Sequence, residues 1–160
     1  MGMYTTLHPS PVGDILLRAD ADGRLTDLHL RHDGARNATE GPFDAVREQL
    51  NAYFAGELDR FDVPMAVHGT DFQMRVWDQL ARIPFGETIS YSELARRMGD
   101  PKLVRAVGVA NGRNPISIII PCHRVIGADG SLVGYGGGLE RKKWLLEHEE
   151  VTSGRRLPVG

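Results

Sequence analysis

The residue with the most distinctive chemistry is Cys122, the only cysteine among 160 residues, which stands beside His123 and Arg124. A lone thiol forms no disulfide within the chain, and zinc sites built from several cysteines are excluded. The thiol is therefore either a small buried apolar residue or a reactive group. The apolar run 116–120 predicts a buried strand that carries the thiol to its end. The imidazole and the guanidinium next to that end favour a thiolate, and therefore the reactive alternative.

The region upstream of the cysteine predicts two short helices. Ser90 and Glu93 have the spacing of a capping box at the start of the first helix, and the Gly-Asp-Pro segment 99–101 ends it and begins the second. This arrangement predicts a helix-turn-helix, although a helical hairpin in a core has the same pattern. Gly108 inside the second helix costs about 1 kcal/mol relative to alanine. The close approach of another surface is a reason for a glycine at this position.

The N-terminal third reads as strands followed by a helix. Segments 12–18 and 24–30 flank a turn-rich spacer and predict a β-hairpin. Apolar residues at helical spacing over 43–54 predict a helix, and 58–69 reads as a linker or a lone strand. Thr70 then begins another helix, since a glutamine follows three residues later.

Composition and charge exclude some classes of protein. No apolar run approaches the roughly 20 residues that cross a bilayer, and the N-terminus lacks a signal-peptide pattern, so we expect no membrane contact. A free thiol suits a reducing cytoplasm, which is the expected location. Residues 1–70 contain 11 acidic and 6 basic residues, whereas 71–160 contain 10 and 13. A net charge of +3 on the second part is compatible with a polyanionic partner, although a solvated face would look the same.

The pentapeptide 121–125, Pro-Cys-His-Arg-Val, resembles the active-site signature of the O6-alkylguanine-DNA alkyltransferases, also called methylated-DNA–protein-cysteine methyltransferases. The upstream pair Asn114-Pro115 belongs to the same signature. Segments 86–91, 105–108 and 134–138 resemble further family motifs, in the family's order and spacing.

The resemblance is strong from about Thr70 to Glu149 and rests on layout before that. It implies an α/β (α+β) fold with two domains. Residues 1–69 would form a small β-sheet domain with a helix in an RNase H-like layout, followed by a linker. Residues 70–160 would form a mainly helical, winged-helix-like alkyltransferase domain that carries the helix-turn-helix and the cysteine.

The resemblance also implies catalytic roles. Cys122 would accept one alkyl group irreversibly, and His123 would act on the thiol through a water molecule. Glu149 would orient and charge the imidazole. Tyr91 would donate to the extruded base and assist departure of the guanine. Asn114 would brace the turn before the cysteine.

The roles of Glu149 and Tyr91 follow from the resemblance and not from the residue types alone. Glu149 is one of three carboxylates on a terminal helix, which more often form a solvated face, and Tyr91 needs no function as a core aromatic.

The remaining expected site residues bind the base and the DNA. The base pocket would be formed by Tyr91, by the main chain of Val125 and Gly136, and by Tyr135 in the glycine-rich loop. Arg105 would enter the base stack in place of the extruded nucleotide. Small residues beside it would let the helix fit the minor groove, namely Val104, Ala106 and Gly108.

The expected partner is double-stranded DNA containing O6-alkylguanine, with O4-alkylthymine left open. We expect a monomer, and cooperative binding to DNA stays open. No cofactor is expected, and no metal, because the zinc of the family's human member depends on cysteines that are absent here. Asn111 stands where that member has a methionine on the extruded base, so looser or polar contacts are expected there.

Two other functions are compatible with parts of the sequence. An alkyltransferase-like protein would bind lesions without repairing them, but known proteins of that kind replace the cysteine that this chain keeps at Cys122. An unrelated Cys-His hydrolase would need an oxyanion hole and a turnover cycle, and no segment argues for either.

Overall fold

The computed structural model describes residues 4–35, 38–132 and 134–154. The chain divides into two compact units. The first contains the chain up to residue 67 together with 115–117, and the second contains 68–114 and the chain from 118 onward. The fold is mixed α/β, with a small antiparallel sheet in the first unit and mainly helices in the second, which confirms the predicted fold class.

The sheet of the first unit has three antiparallel strands in sequence order. They are β1 (Tyr4–His8), β2 (Ile15–Ala19) and β3 (Leu25–His29). The predicted hairpin is confirmed as β2 and β3. β2 is buried along nearly its whole length, since Arg18 alone of its five residues is only half-buried.

Sequence patterning missed β1 because its buried side chains are polar. Thr6 and His8 are buried, and both bond to α1 (Asp44–Phe54). Arg47 donates to Thr6 Oγ1 at 2.8 Å and contacts His8 Nδ1 at 3.0 Å, while His8 Nε2 lies 2.8 Å from Asn51 Oδ1. Hydrogen bonds thus replace the apolar contacts that a period-two pattern would reveal.

The second unit contains four α-helices and one short pair of strands within its described residues. The helices are α2 (Asp71–Ala81), α3 (Tyr91–Arg97), α4 (Val104–Gly112) and α5 (Leu139–Ser153). The strands β4 (Ile89–Ser90) and β5 (Val125–Ile126) pair in parallel. This pairing sets the start of α3 beside the chain that follows the cysteine.

Local signals fix the ends of these helices. The capping box at Thr70 is complete, since its side chain accepts from Gln73 N and Gln73 reaches back to Thr70 N. Ser90 caps α3 by accepting from Glu93 N, but the Glu93 carboxylate pairs with arginines of its own helix instead. Asp100 accepts from Lys102 N and begins a 3-10 turn that leads into α4.

The predicted strand over 116–120 is wrong. Ile116 makes a single bridge to Leu28, and Ile118 then adopts a left-handed φ of 71°, which turns the chain. That conformation is strained for a β-branched residue, so the surrounding packing must hold it. Ile116, Ile118 and Ile120 are all buried. The apolar run therefore predicted burial correctly, but burial does not require an extended chain.

Thr70→Ala should lower the free energy of unfolding by about 1 kcal/mol, because Gln73 N loses the hydroxyl oxygen that accepts its hydrogen bond. Urea denaturation measures the change. Thr152→Ala is the control, since Thr152 is exposed in the last turn of α5 and should lose no stability. Equal stability of wild type and Thr70→Ala would show that the capping box contributes nothing.

Candidate active site

The cysteine begins a tight turn. Cys122 is the first residue of a one-turn 3-10 helix, Cys122–Arg124, and its backbone N–H donates to Ile120 O at 2.8 Å. The turn closes when Arg124 N donates to Pro121 O at 3.0 Å. Only 4% of Cys122 is exposed. The thiol therefore lies inside the second unit, where charged neighbours act on it through little solvent.

Two buried asparagines hold this turn from its N-terminal side. Asn114 Nδ2 donates to Ile120 O at 2.7 Å, so the side chain spans the turn before the cysteine, where the resemblance expected it. Asn111 Nδ2 lies 3.4 Å from Cys122 O. Asn111 is on α4, so this long hydrogen bond joins the second helix of the helix-turn-helix to the cysteine.

His123 and Glu149 form a buried pair. The distance from His123 Nε2 to Glu149 Oε2 is 2.7 Å, and both side chains are fully buried. His123 Nδ1 makes no hydrogen bond to the residues that the structure describes. The structure therefore brings together the histidine and a carboxylate that stands 26 positions later in the chain.

Arg124 also binds Glu149, which no sequence argument anticipated. Its Nε donates to Glu149 Oε1 at 2.8 Å and its Nη2 to Oε2 at 3.1 Å, while Nη1 donates to Ile83 O at 2.7 Å. Gly86 N donates to the same Oε1 at 3.2 Å. The guanidinium is thus directed at the carboxylate, and its charge is balanced there.

These contacts decide the protonation of the pair. Burial alone would raise the pKa of Glu149, but the charges and hydrogen bonds of His123 and Arg124 outweigh it and hold the pKa well below its ordinary value. Burial lowers the pKa of His123, and Glu149 offsets this only in part. The resting pair is consequently a carboxylate and a neutral imidazole at neutral pH.

Lys142 is a residue that sequence reasoning missed. It is fully buried on α5, and its Nζ donates to Val125 O at 2.6 Å. A signal was available, because Lys142, Leu145, Leu146 and Glu149 follow helical spacing and share the buried face of α5. Burial lowers the pKa of Lys142 to about 8, although the Cys122 thiolate acts in the opposite direction.

Tyr91 lies at the first position of α3, half-buried, and its hydroxyl donates to Gly134 O at 3.3 Å. Burial and the Cys122 thiolate raise the pKa of Tyr91, while a hydrogen bond from Asn111 acts against them. Tyr135 is half-buried and Gly136 exposed in the glycine-rich loop. The expected pocket residues therefore lie in the same unit as the thiol.

The expected DNA contacts lie at the start of α4. Val104, Arg105 and Ala106 are exposed in its first turn. A Cβ atom placed on Gly108 would be 3.9 Å from the Tyr91 ring, an ordinary contact, so packing within the described residues does not require this glycine. A close approach of DNA remains its predicted reason.

The described residues contain neither a metal-binding cluster of side chains nor a membrane-spanning helix. No group of three or more histidine, cysteine, aspartate or glutamate side chains among residues 4–35, 38–132 and 134–154 is arranged to hold a metal ion. None of the helices in those ranges combines the length and the apolar character needed to cross a membrane.

Comparison with known proteins identifies the family. Residues 71–151 match the model of the 6-O-methylguanine DNA methyltransferase DNA-binding domain, and residues 3–67 match that of its ribonuclease-like domain. The chain belongs to the 6-O-methylguanine DNA methyltransferase family. The resemblance carried by the pentapeptide around Cys122 is thereby confirmed.

Individual members of this methyltransferase family are similar over nearly the whole chain. The methylated-DNA–protein-cysteine methyltransferase of Mycobacterium bovis is 52% identical, with 92% of each chain covered. That of Methanosarcina acetivorans is 47% identical, covering 92% of this chain and 98% of its own. The crystal structure of Mycobacterium tuberculosis OGT in complex with DNA matches with a TM-score of 0.83 at 52% identity, covering 94% of this chain and 93% of the other.

Glu149→Gln should destabilise this methyltransferase by about 3–5 kcal/mol, because Arg124 would remain buried without its counter-charge. The matched control is Glu147→Gln on the same helix, whose carboxylate is 56% exposed and 3.9 Å from Lys143. Chemical denaturation at pH 7 should separate the two variants. Similar small losses would show that the buried ion pair does not stabilise the fold.

The same pair predicts the response to acid. The pKa of Glu149 is depressed in the fold, so its contribution is complete above the ordinary value of 4.5 and is lost as the pH falls below it. The stability difference between wild type and Glu149→Gln should therefore shrink below about pH 4.5. A difference that stays constant down to pH 3 would contradict the depressed pKa.

Proposed function

We propose that this chain repairs DNA directly, by moving one methyl or other alkyl group from the O6 oxygen of guanine onto Cys122. Membership of the methyltransferase family supports alkyl transfer as the reaction. The observation that carries the assignment to Cys122 is its position, buried at the start of a turn and followed directly by the His123–Glu149 pair.

The proposed reaction is a single displacement. The thiolate sulfur of Cys122 attacks the alkyl carbon, a carbon–sulfur bond forms, and the carbon–oxygen bond to the base breaks. The electron pair of that bond stays with the base, which takes up one proton and leaves as guanine. The product on the protein is a thioether, which offers no easy route back, so each chain reacts once.

His123 and Glu149 would support formation of the thiolate. A neutral imidazole can accept the thiol proton, and the adjacent carboxylate stabilises the imidazolium that results. Burial of the pair excludes competing hydrogen bonds from solvent. We propose that the proton passes from Cys122 to His123 through a water molecule.

Tyr91 would supply the proton to the leaving base. Its hydroxyl stands at the start of α3, which the β4–β5 pairing sets beside Val125. The bond from Asn111 lowers the pKa of the phenol against the larger effects of burial and the thiolate. That bond would stabilise the phenolate as the proton leaves. Val125, Tyr135 and Gly136 would contact the base. Asn114 would hold the turn Cys122–Arg124, the reactive turn, in place.

The chain binds DNA through its family DNA-binding domain, residues 71–151. We propose that α4 enters the minor groove and that Arg105 fills the gap left by the extruded O6-alkylguanine. Val104 and Ala106 are exposed beside Arg105, and Gly108 lies one turn further along the helix. This face of α4 therefore carries one cation surrounded by small apolar residues. Such a face suits a narrow groove and gives little sequence specificity.

We also propose that the chain acts as a monomer without a cofactor, because the thiol, its histidine, its carboxylate and the DNA helix all lie in one unit. The need for a free thiol favours a reducing cytoplasm as its location.

Incubation with duplex DNA containing O6-methylguanine should add one methyl mass to the intact protein, on Cys122, with an end point of about one methyl per chain. Cys122→Ser should gain no mass but should bind DNA as wild type does, since affinity comes mainly from phosphate contacts. Binding without mass gain by wild type would indicate lesion recognition alone. Repeated turnover would reject a single-use acceptor.

Arg105→Ala should slow repair of duplex lesions by at least tenfold and repair of the free modified base hardly at all, because only the duplex demands unstacking. The matched control is Lys102→Ala, which removes an equal charge from the exposed turn before α4. Single-turnover rates at saturating protein on duplex, single strand and free base give the comparison. Equal losses on duplex and single strand would make Arg105 a phosphate contact only.

A further inference from the structure

Asn111 is a buried residue whose side-chain oxygen has no hydrogen-bond donor. Only 2% of the residue is exposed, and it lies on the buried face of α4. Its Oδ1 is buried and accepts no hydrogen bond from the residues that the structure describes. An acceptor taken out of water without a donor costs stability, because its hydrogen bonds to water are lost. A ligand that brings a donor would remove this cost.

The nitrogen of the same amide is fixed by its neighbours. Asn111 Nδ2 lies 3.4 Å from Cys122 O, and a carbonyl oxygen can only accept, so the nitrogen must face it. Burial and the Cys122 thiolate raise the pKa of Tyr91, whereas a hydrogen bond from Asn111 lowers it. A bond that favours the phenolate is donated to it, so the amide nitrogen makes this contact too. The two ends of the amide are therefore distinguished, and the oxygen is the unpaired end.

The surroundings of Asn111 are those of the proposed base pocket. Its amide bonds to Tyr91 and to the main chain of Cys122. The glycine-rich loop lies against the next residue of α4, since a Cβ atom placed on Gly136 would be 3.7 Å from Gly112 O. The side chain thus stands where the phenol, the reactive turn and the loop meet, all within the second unit. A base placed between these three groups would contact the Asn111 amide.

The chemistry of the base shows which of its atoms could satisfy this acceptor. Alkylation at O6 removes the hydrogen from N1, so the free ring nitrogens of O6-alkylguanine only accept hydrogen bonds, while N9 is joined to the sugar. The hydrogens of the 2-amino group are then the only N–H donors of the base. An unpaired oxygen in the pocket therefore matches one group of the substrate.

We infer that Asn111 is a specificity residue whose Oδ1 accepts a hydrogen bond from the 2-amino group of the extruded O6-alkylguanine. This inference rests on the proposed function, and it names the class of base that the same site prefers, a purine alkylated on the 6-oxygen that carries an amino group at position 2. Asn111 takes no part in making or breaking covalent bonds. A base without that amino group leaves the oxygen unpaired in the complex and so gains less on binding.

The test compares two single-stranded oligonucleotides that differ only in this group, one with O6-methylguanine and one with O6-methylhypoxanthine. Single strands keep the strength of base pairing out of the comparison. The rate of methyl gain is measured by mass at protein concentrations below saturation. Asn111→Leu keeps the approximate size of the side chain and removes the acceptor. The ratio of the guanine rate to the hypoxanthine rate should be about fivefold larger in wild type than in Asn111→Leu, the effect of one neutral hydrogen bond.

The ratio of the two rates separates reading of the base from damage to the reactive turn. Asn111→Leu also loses Nδ2 and its contacts with Cys122 and Tyr91, which should slow both oligonucleotides by the same factor. The matched control is Asn114→Leu, which removes the other buried asparagine of this turn, whose Nδ2 donates to Ile120 O. It should lower both rates and keep the wild-type ratio. An unchanged ratio in Asn111→Leu would overturn the inference, and so would an equal change of the ratio in both variants.

A spectroscopic measurement leaves Asn111 in place, and it decides the matter if Asn111→Leu does not fold. Cys122→Ser should bind each oligonucleotide without reacting. A donor at Oδ1 draws electrons from the amide nitrogen, so the nitrogen NMR resonance of Asn111 Nδ2 should lie further downfield with O6-methylguanine than with O6-methylhypoxanthine. Equal resonances in the two complexes would reject the hydrogen bond.

These outcomes are distinct from failure of the proposed function. If wild type gains no methyl from either oligonucleotide, alkyl transfer is rejected, and the NMR comparison in Cys122→Ser still decides the role of Asn111. Methyl gain from both oligonucleotides, with the same ratio in wild type and Asn111→Leu, would keep alkyl transfer and reject the role of Asn111.

Discussion

The active site depends on the hydrogen bonds and ion pairs that the Glu149 carboxylate makes. It accepts hydrogen bonds from Gly86 N, from His123 and from two nitrogens of Arg124. Together with Glu149 itself, these groups come from three places in the chain: the segment after α2, the reactive turn and α5. A single buried anion therefore fixes the relative positions of all three, and a misplaced partner would leave a buried charge uncompensated. Such a charge network specifies one arrangement more strictly than apolar contacts do.

Two buried cations of the second unit, Arg124 and Lys142, have different partners. Arg124 neutralises Glu149 and holds it in position, while the Lys142 ammonium lies 5.8 Å from the centre of the Tyr91 ring and 6.0 Å from that of Tyr135. Burial lowers the pKa of His123, so its imidazole is neutral at rest and can accept a proton. Burial makes each of these charges act strongly, and it also makes each of them costly.

The helix proposed to bind DNA, α4, is joined to the reactive turn by specific contacts. Trp77 Nε1 of α2 donates to Ala110 O of α4 at 2.9 Å, and Asn111 of α4 contacts Cys122 O. Val107 and Ala110 bury the inner face of α4, while Arg105 remains exposed on the opposite side. Because these contacts lie within one packed unit, a helix seated on DNA would hold the thiol at a fixed position relative to the duplex.

Local patterns in the sequence determined much of this protein. The capping residues Thr70 and Ser90, together with the Gly-Asp-Pro segment, placed helix starts and ends correctly, because caps satisfy backbone groups within a few residues. The pentapeptide around Cys122 identified the family, since it brings reactive groups together along the chain. The polar strand β1 escaped detection because its inward residues bond to a helix that lies more than 35 positions later.

Only the tertiary structure decided the electrostatics of the site. The apolar run before Cys122 predicted burial but did not predict the turn at Ile118. The left-handed conformation of that residue depends on packing from elsewhere in the chain. Sequence alone placed Arg124 beside the thiol, whereas the fold directs its guanidinium to Glu149, 25 positions away. In the sequence Lys142 is one of two adjacent lysines in a charged helix, and only the fold shows that it is buried. Local conformation is set by neighbours in sequence, but desolvation and charge pairing are set by neighbours in space.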